Sequence, residues 1–222
     1  MVIAVDGIDG SGKTVFANRL ASSFVEAGFA AVHISVDDFR RAVDFARPDK
    51  SEIDIYADEY FDFAELNACL QSFQRGDPTL AVPVFDSRVE RRIGTRSIDS
   101  GNALVLIVEG VFVLRVPLVA TAFCVYLASS LESARARILE RDTKKGRSDC
   151  EVNRRIDARY FPSQERYQSA YRPRDRADLV IENDNFALPL ITRATFNRLP
   201  DPFADVMRKH LDCTGAAWSN ER

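Results

Sequence analysis

A chain of 222 residues, 46% hydrophobic and 28% charged, has room for one α/β domain with a sizeable core and excludes a disordered or fibrous class. Its formal net charge of −3 argues against a nucleic-acid binder held by phosphate contacts. Apolar runs such as Ala103 to Val108 fall far short of the roughly 20 residues that span a bilayer, so no membrane partner is expected.

The first element is a short β-branched run, Val2 to Val5. No basic leader or cleavage site accompanies it, which makes the cytoplasm the expected location. The run leads into Gly7-Ile8-Asp9-Gly10-Ser11-Gly12-Lys13-Thr14, which satisfies GxxxxGK[ST] between a strand and a helix. Small residues there let backbone amides converge on phosphate oxygens at a helix N-terminus. Lys13 is then expected against the β- and γ-phosphates of a nucleoside triphosphate, with the Thr14 hydroxyl on Mg²⁺. Helical spacing continues from Lys13 to Ala27 and stops at Gly28.

A second run, Ala31 to Val36, ends on Asp37 and Asp38. Ligands of open parallel sheets gather beyond the carboxyl ends of the strands. A carboxylate there can orient an acceptor hydroxyl and take its proton, and Asp37 is the candidate, with helix capping the alternative for either aspartate. Phe61 to Arg75 is helical and stops at Gly76. Asp77 to Gly101 breaks the rhythm with Pro78, Pro83 and two alternating segments about an Asp86-Ser87 turn, and reads as a hairpin-like insertion.

The run Leu104 to Val108 ends on Glu109, which has two readings, a ligand of Mg²⁺ or a solvated strand end. Phe123 to Leu127 and Leu179 to Ile181 complete five strands, and their alternation with helices implies a mostly parallel sheet. A helix over Leu131 to Asp142 puts Arg137 and Arg141 on one face, opposite Leu131, Ala134 and Ile138. The polar loop Thr143 to Ser148, which holds Arg147, joins it to a helix from about Cys150 to Tyr171. The tail beyond Phe186 carries no usable motif, His33 and His210 read as structural, and four scattered cysteines suggest neither zinc nor disulfides.

Taken in order, Asp6-Gly7 through Thr14, Val36-Asp37-Asp38-Phe39, Phe61-Asp62, Pro83-Val84-Phe85-Asp86, Val108-Glu109-Gly110 and Ala177-Asp178-Leu179-Val180-Ile181 resemble the uridine kinase and phosphoribulokinase group of P-loop kinases, its uridine-cytidine branch most of all. The resemblance covers Val2 to Asn185. It implies a P-loop NTPase three-layer α/β fold with a mostly parallel five-stranded sheet. It also implies one kinase domain over residues 1–222, with an acceptor-side insertion at 77–101, a helical lid at about 135–150 and a tail at 186–222.

The activity so implied is transfer of the γ-phosphoryl group of ATP·Mg²⁺ to a small-molecule acceptor, most closely the 5′-hydroxyl of a nucleoside such as uridine or cytidine. Asp37 is then the base, Lys13 acts beside it, and Gly7, Asp9, Gly10, Ser11, Gly12 and Thr14 hold the nucleotide. Arg137, Arg141 and Arg147 resemble the lid arginines that close over phosphates, the alternative being a solvated basic face paired with Glu132 and Glu140. Phe85 would stack on a base or serve as core, and Arg166 and Tyr167 would face the acceptor or pack helices. Arg40 stands where the family pattern has a tyrosine, and Glu90 where its acceptor hairpin has a histidine. Other acceptors, pantothenate or a sugar, and a regulatory ATP-binding protein are the alternatives, while no guanine-reading NKxD-like segment is present. A homo-oligomer is left open.

Overall fold

In the computed structural model, which describes residues 1–213, 215, 217 and 218, the five apolar runs are strands. They are β1 (Val2–Gly7), β2 (Ala31–Ser35) and, after a hairpin of β3 (Thr79–Asp86) and β4 (Arg91–Asp99), β5 (Val105–Glu109), β6 (Phe123–Ala128) and β7 (Leu179–Glu182). Their order across the sheet is β2-β5-β1-β6-β7, and each neighbouring pair is parallel. Two further strands extend the edge. β8 (Leu190–Ala194) runs antiparallel to β7, and the two-residue β9 (Ala217–Trp218) pairs parallel to β8. The sheet therefore has seven strands where five were expected. Only Ile191 of β8 is buried, so that strand has no apolar run to announce it.

Strand alternation builds a core on each face of the sheet. Ile3 and Val5 of β1 join Val105, Ile107, Phe123 and Val125 beneath α1 (Lys13–Glu26), which contributes Leu20 and Phe24. Val2 and Ala4 face the other way, with Leu106, Val108 and Ile34, onto a core that includes Phe39, Tyr56, Leu66 and Leu70. That second layer holds a 3₁₀ turn (Val36–Phe39), α2 (Glu52–Asp58) and α3 (Phe63–Arg75). α3 ends at Gly76 in the left-handed conformation, whose amide meets the Phe73 and Ser72 carbonyls.

α4 (Leu131–Thr143) follows β6, and the expected long helix after it is three pieces: α5 (Asp149–Arg155), a π turn (Ile156–Tyr160) and α6 (Phe161–Tyr171). The short α7 (Pro173–Arg176) leads to β7, and α8 (Asp201–Cys213) forms from the tail. Ala134 and Ile138 of α4 are buried as expected, but Leu131 is 57% exposed. The hairpin is a separate two-stranded sheet. Its turn lies at Ser87 to Glu90, not at Asp86-Ser87, with Glu90 at φ 49 and a register shift between Val84 and Phe85. Arg96 of β4 pairs with Asp38 at 2.9 Å and Arg92 with Glu65 at 2.7 Å, which fixes the hairpin over the ends of β2 and α3. Among the described residues no helix is long and apolar enough to cross a membrane.

Candidate active site

The strand order reverses at β1, so the crevice beyond its carboxyl end is where a doubly wound sheet offers a ligand site. The glycine-rich loop occupies it. Gly10 and Gly12 take φ values of 78° and 95°, which side-chain-bearing residues rarely adopt. Close approach forbids larger residues as well. A Cβ on Gly10 would lie 2.6 Å from the Ala134 carbonyl oxygen of α4, and one on Gly12 would lie 2.8 Å from Asn183 Nδ2 beyond β7. Asn183 donates to the Ser11 carbonyl at 2.7 Å, and Arg137 donates to the Gly10 carbonyl at 3.2 Å and the Asn183 carbonyl at 2.7 Å. The loop is therefore clamped from both sides, and the Arg137 guanidinium lies 3.7 Å over the Phe186 ring.

A cavity of about 560 Å³ opens in front of this loop. Gly10, Gly12, Lys13, Thr14, Asp37 and Glu109 line it. Arg137 and Arg141 of α4 reach its rim. Lys13 is buried and donates to the Ile8 carbonyl at 2.8 Å. The Thr14 hydroxyl donates to Glu109 Oε1 at 3.2 Å. Glu109 is 3% exposed, so the solvated strand end is set aside. Burial raises its carboxyl pKa, while the Lys13 charge and the Ser35 and Thr14 hydroxyls pull it back. His33, expected as structural, lies beside it at 4.0 Å.

The two strand-end aspartates divide their work. Asp38 accepts from the Ser35 amide at 3.2 Å and completes the cap of the 3₁₀ turn. Asp37 is left with its side chain 60% exposed and the Arg40 guanidinium at 4.0 Å, beyond hydrogen-bond distance. It lines both the 560 Å³ cavity and a second, smaller one of about 100 Å³ on the hairpin side. Asp9 lines both as well, with Oδ2 accepting from the Tyr56 hydroxyl at 3.0 Å and Gln164 Nε2 at 2.7 Å.

The arginines of α4 and the following loop do not form a solvated face paired with Glu132 and Glu140. Arg141 and Arg147 share buried Asp142, at 2.7 and 3.2 Å. Burial works against the Asp142 charge, but the two guanidinium groups outweigh it and hold its pKa below the usual carboxylate value. Arg147 lines the smaller cavity.

Other expected residues lie elsewhere. Phe85 lines neither cavity, because the Arg40 guanidinium covers its ring at 4.5 Å. Arg166 spans to Asp54 and Asp58 of α2, both at 2.7 Å, on the outside of the helix pair. Tyr167 is buried, with its hydroxyl donating to Asp6 and accepting from the Leu114 amide. Both therefore pack helices. Gly7 and Ser11 lie beneath the loop and do not border the cavity. Tyr160 lines the smaller cavity, and sequence reasoning missed Tyr56, Tyr60, Lys145, Arg155 and Arg159, which line it as well. Arg155 and Arg159 stand four residues apart, and Ser51 followed by Asp54 is a helix-start signature, so part of this wall had a signal.

The family model described as phosphoribulokinase / uridine kinase matches residues 2–185. Among solved structures, a possible uridine kinase from Bacillus stearothermophilus is similar at 22% identity and a TM-score of 0.60, over 81% of this chain and 87% of that one. A phosphoribulokinase from Rhodobacter spheroides is similar at 14% identity and a TM-score of 0.52, over 81% and 69%. A D-glycerate 3-kinase from Cryptococcus neoformans is similar at 16% identity and a TM-score of 0.50, over 74% and 78%. At such identities the likeness is one of fold. No curated protein matches the chain.

Proposed function

The chain belongs to the phosphoribulokinase / uridine kinase family, and from that premise we propose that it transfers the γ-phosphoryl group of ATP to a hydroxyl of a small acceptor held at Asp37. The observation that carries this reading is the position of Asp37 at the junction of two cavities, one bordered by the phosphate loop and one by the hairpin side. A donor in the first and an acceptor in the second would meet at that carboxylate. An ionised carboxylate there orients the acceptor hydroxyl and takes its proton as the new P–O bond forms.

The remaining residues divide between holding and closing. In this reading Lys13, released from the Ile8 carbonyl, binds the β- and γ-phosphate oxygens, and the clamped loop supplies their cradle. Arg141 and Arg147, already gathered on Asp142, serve as the lid over the phosphates, and closing it excludes water that would otherwise hydrolyse ATP. The Thr14 hydroxyl and the buried Glu109 carboxylate form a hard-oxygen pair that fits Mg²⁺, which takes one or two carboxylates alongside phosphates and water. When bound, the ion supplies neutralisation of phosphate charge.

Uridine or cytidine is the acceptor named by the family resemblance. Arg40 and Glu90, the two departures from that pattern, both line the smaller cavity, so the reaction class and the acceptor are separate questions. The reaction is tested by ATP-dependent phosphorylation of an acceptor panel with wild type and Asp37→Asn. The expected loss in kcat is about 10²- to 10⁴-fold, with ATP affinity retained. An Asp37→Asn protein with wild-type kcat would remove Asp37 as the base, and an equal loss of ATP binding would move it to the nucleotide site.

A further inference from the structure

His33 stands where the fold calls for an apolar side chain. Alternation along β2 sends Val32 and Ile34 to one face of the sheet and Ala31, His33 and Ser35 to the other, beneath α1. On the neighbouring β5, Ile107 lies opposite His33 and Glu109 opposite Ser35. Ala31 and Ile107 pack into the core under α1, and a leucine at 33 would extend that layer. The imidazole instead brings Nε2 into it, buried and without a hydrogen-bond partner among the described residues. A buried nitrogen in that state has given up water for nothing, which folded proteins seldom tolerate without a reason.

The reason lies one pleat along β5. Glu109 Oε1 is 4.0 Å from His33 Nε2, about 1 Å beyond the reach of an N–H···O bond. The same oxygen accepts from the Thr14 hydroxyl at 3.2 Å, so α1 and β2 approach one buried carboxylate from two sides. An ionised carboxylate has room for about four donors, and the Thr14 and Ser35 hydroxyls account for two. Partners that hold the remaining lone pairs of a metal-binding carboxylate set its orientation and basicity. Thr14 is itself a candidate ligand, so a further orienting donor has to come from elsewhere. His33 carries a proton on Nε2 both as the cation and as the Nε2–H tautomer, and can donate in either form.

We infer, resting on the reading of Thr14 and Glu109 as the Mg²⁺ pair, that His33 is a positioning residue for that site. Its Nε2–H engages Glu109 when the ion is bound and holds the carboxylate toward it. The orphaned nitrogen thereby gains a partner, and a polar residue in an apolar layer is offset by a better-oriented ligand. Histidine at 33 then sets metal affinity and not the fold.

The test uses full-length protein saturated with the β,γ-methylene analogue of ATP, and Mn²⁺ as an EPR-visible probe of the Mg²⁺ site. Glu109→Gln should weaken Mn²⁺ binding. His33→Leu should weaken it by about 10- to 100-fold, the range expected when an outer partner of a metal ligand is lost. His33→Gln, whose amide can donate from the same strand position, should recover part of that loss. In the Glu109→Gln background His33→Leu should add nothing, because the carboxylate it acts through is gone. The melting temperature without metal should hold or rise in His33→Leu, since leucine completes the apolar layer, whereas a merely structural histidine predicts a fall with Mn²⁺ affinity unchanged. The chain has only two histidines, so histidine-selective NMR of the wild type adds an arm that needs no variant. There the His33 Nε2–H resonance should shift when Mg²⁺ joins the nucleotide complex. Wild-type Mn²⁺ affinity in His33→Leu, an equal loss in both backgrounds, or a His33 resonance indifferent to Mg²⁺ overturns the proposal and leaves the metal pair standing. Wild-type affinity in Glu109→Gln overturns the metal pair and the proposal together, and leaves phosphoryl transfer to be judged by its acceptor panel.

Discussion

Asp6 stands immediately before the phosphate loop with its carboxylate enclosed by protein. Burial pushes its pKa up from 3.8 to about 6, even though the Tyr167 hydroxyl, the Gly7 amide at 2.6 Å and the Lys13 charge all favour the ionised form. A folded-state pKa above the unfolded value means that the carboxyl's contribution is fully present below about pH 4 and is lost as pH rises through 6. The loss is on the order of 3 kcal/mol. Urea unfolding should therefore show Asp6→Asn gaining on wild type by roughly that amount between pH 4 and pH 7. Equal pH slopes in the two proteins would count against a buried, titrating Asp6. Tyr167→Phe removes one donor to this carboxylate and should cost about 1–3 kcal/mol at pH 7, with acceptor KM unchanged. A raised acceptor KM would return Tyr167 to the substrate site. The sequence left Tyr167 between acceptor contact and helix packing because its partner lies 161 residues away, a separation no local pattern reveals.

At the scale of the element, α4 and the helical pieces after it show what helical spacing conveys and what it hides. The phosphate loop, Asp37, Glu109 and the start of α4 were legible because each follows an apolar strand, and a parallel sheet brings such strand ends together. The break at Ile156–Tyr160 was not legible, since its residues keep helical spacing on both sides. That π turn ends α5 at Arg155 and carries Arg159 and Tyr160, three residues of the smaller cavity's wall. Asp142, at the end of the expected helix, is buried between Arg141 and Arg147, a burial that helical spacing does not reveal. Replacing it with alanine strands two guanidinium groups without their shared partner. Asp142→Ala should lose about 1–3 kcal/mol in chemical unfolding. If these arginines reach the phosphates, KM for ATP should rise several-fold while acceptor KM moves less. An unaltered ATP KM in a stably folded variant would confine the pair to structure.

Across the whole molecule, the family pattern ends at residue 185 while the fold continues. The tail carried no motif because its work is packing. α8 lays Ala204, Met207 and Leu211 into the same core as Leu20 and Phe24 of α1, and Phe203 meets Phe24 and Phe29 edge-on at 5.6 and 5.1 Å. The apolar spacing of that helix was present in the sequence, but the surface it covers was not, since α1 exposes its need for a partner only once both elements are placed against the sheet. Met207 is fully buried, and Met207→Ala should cost about 2–5 kcal/mol, measured as a lower urea midpoint at constant slope. The same helix sets His210 Nδ1 2.9 Å from Ser23 Oγ, nearly three turns along α1 from the Lys13 that opens it at the phosphate loop. Well below its melting temperature the variant should therefore keep the wild-type kcat and ATP KM. A fall in ATP affinity while the protein remains folded would show that α8 positions the phosphate loop through α1, making the tail part of the nucleotide site.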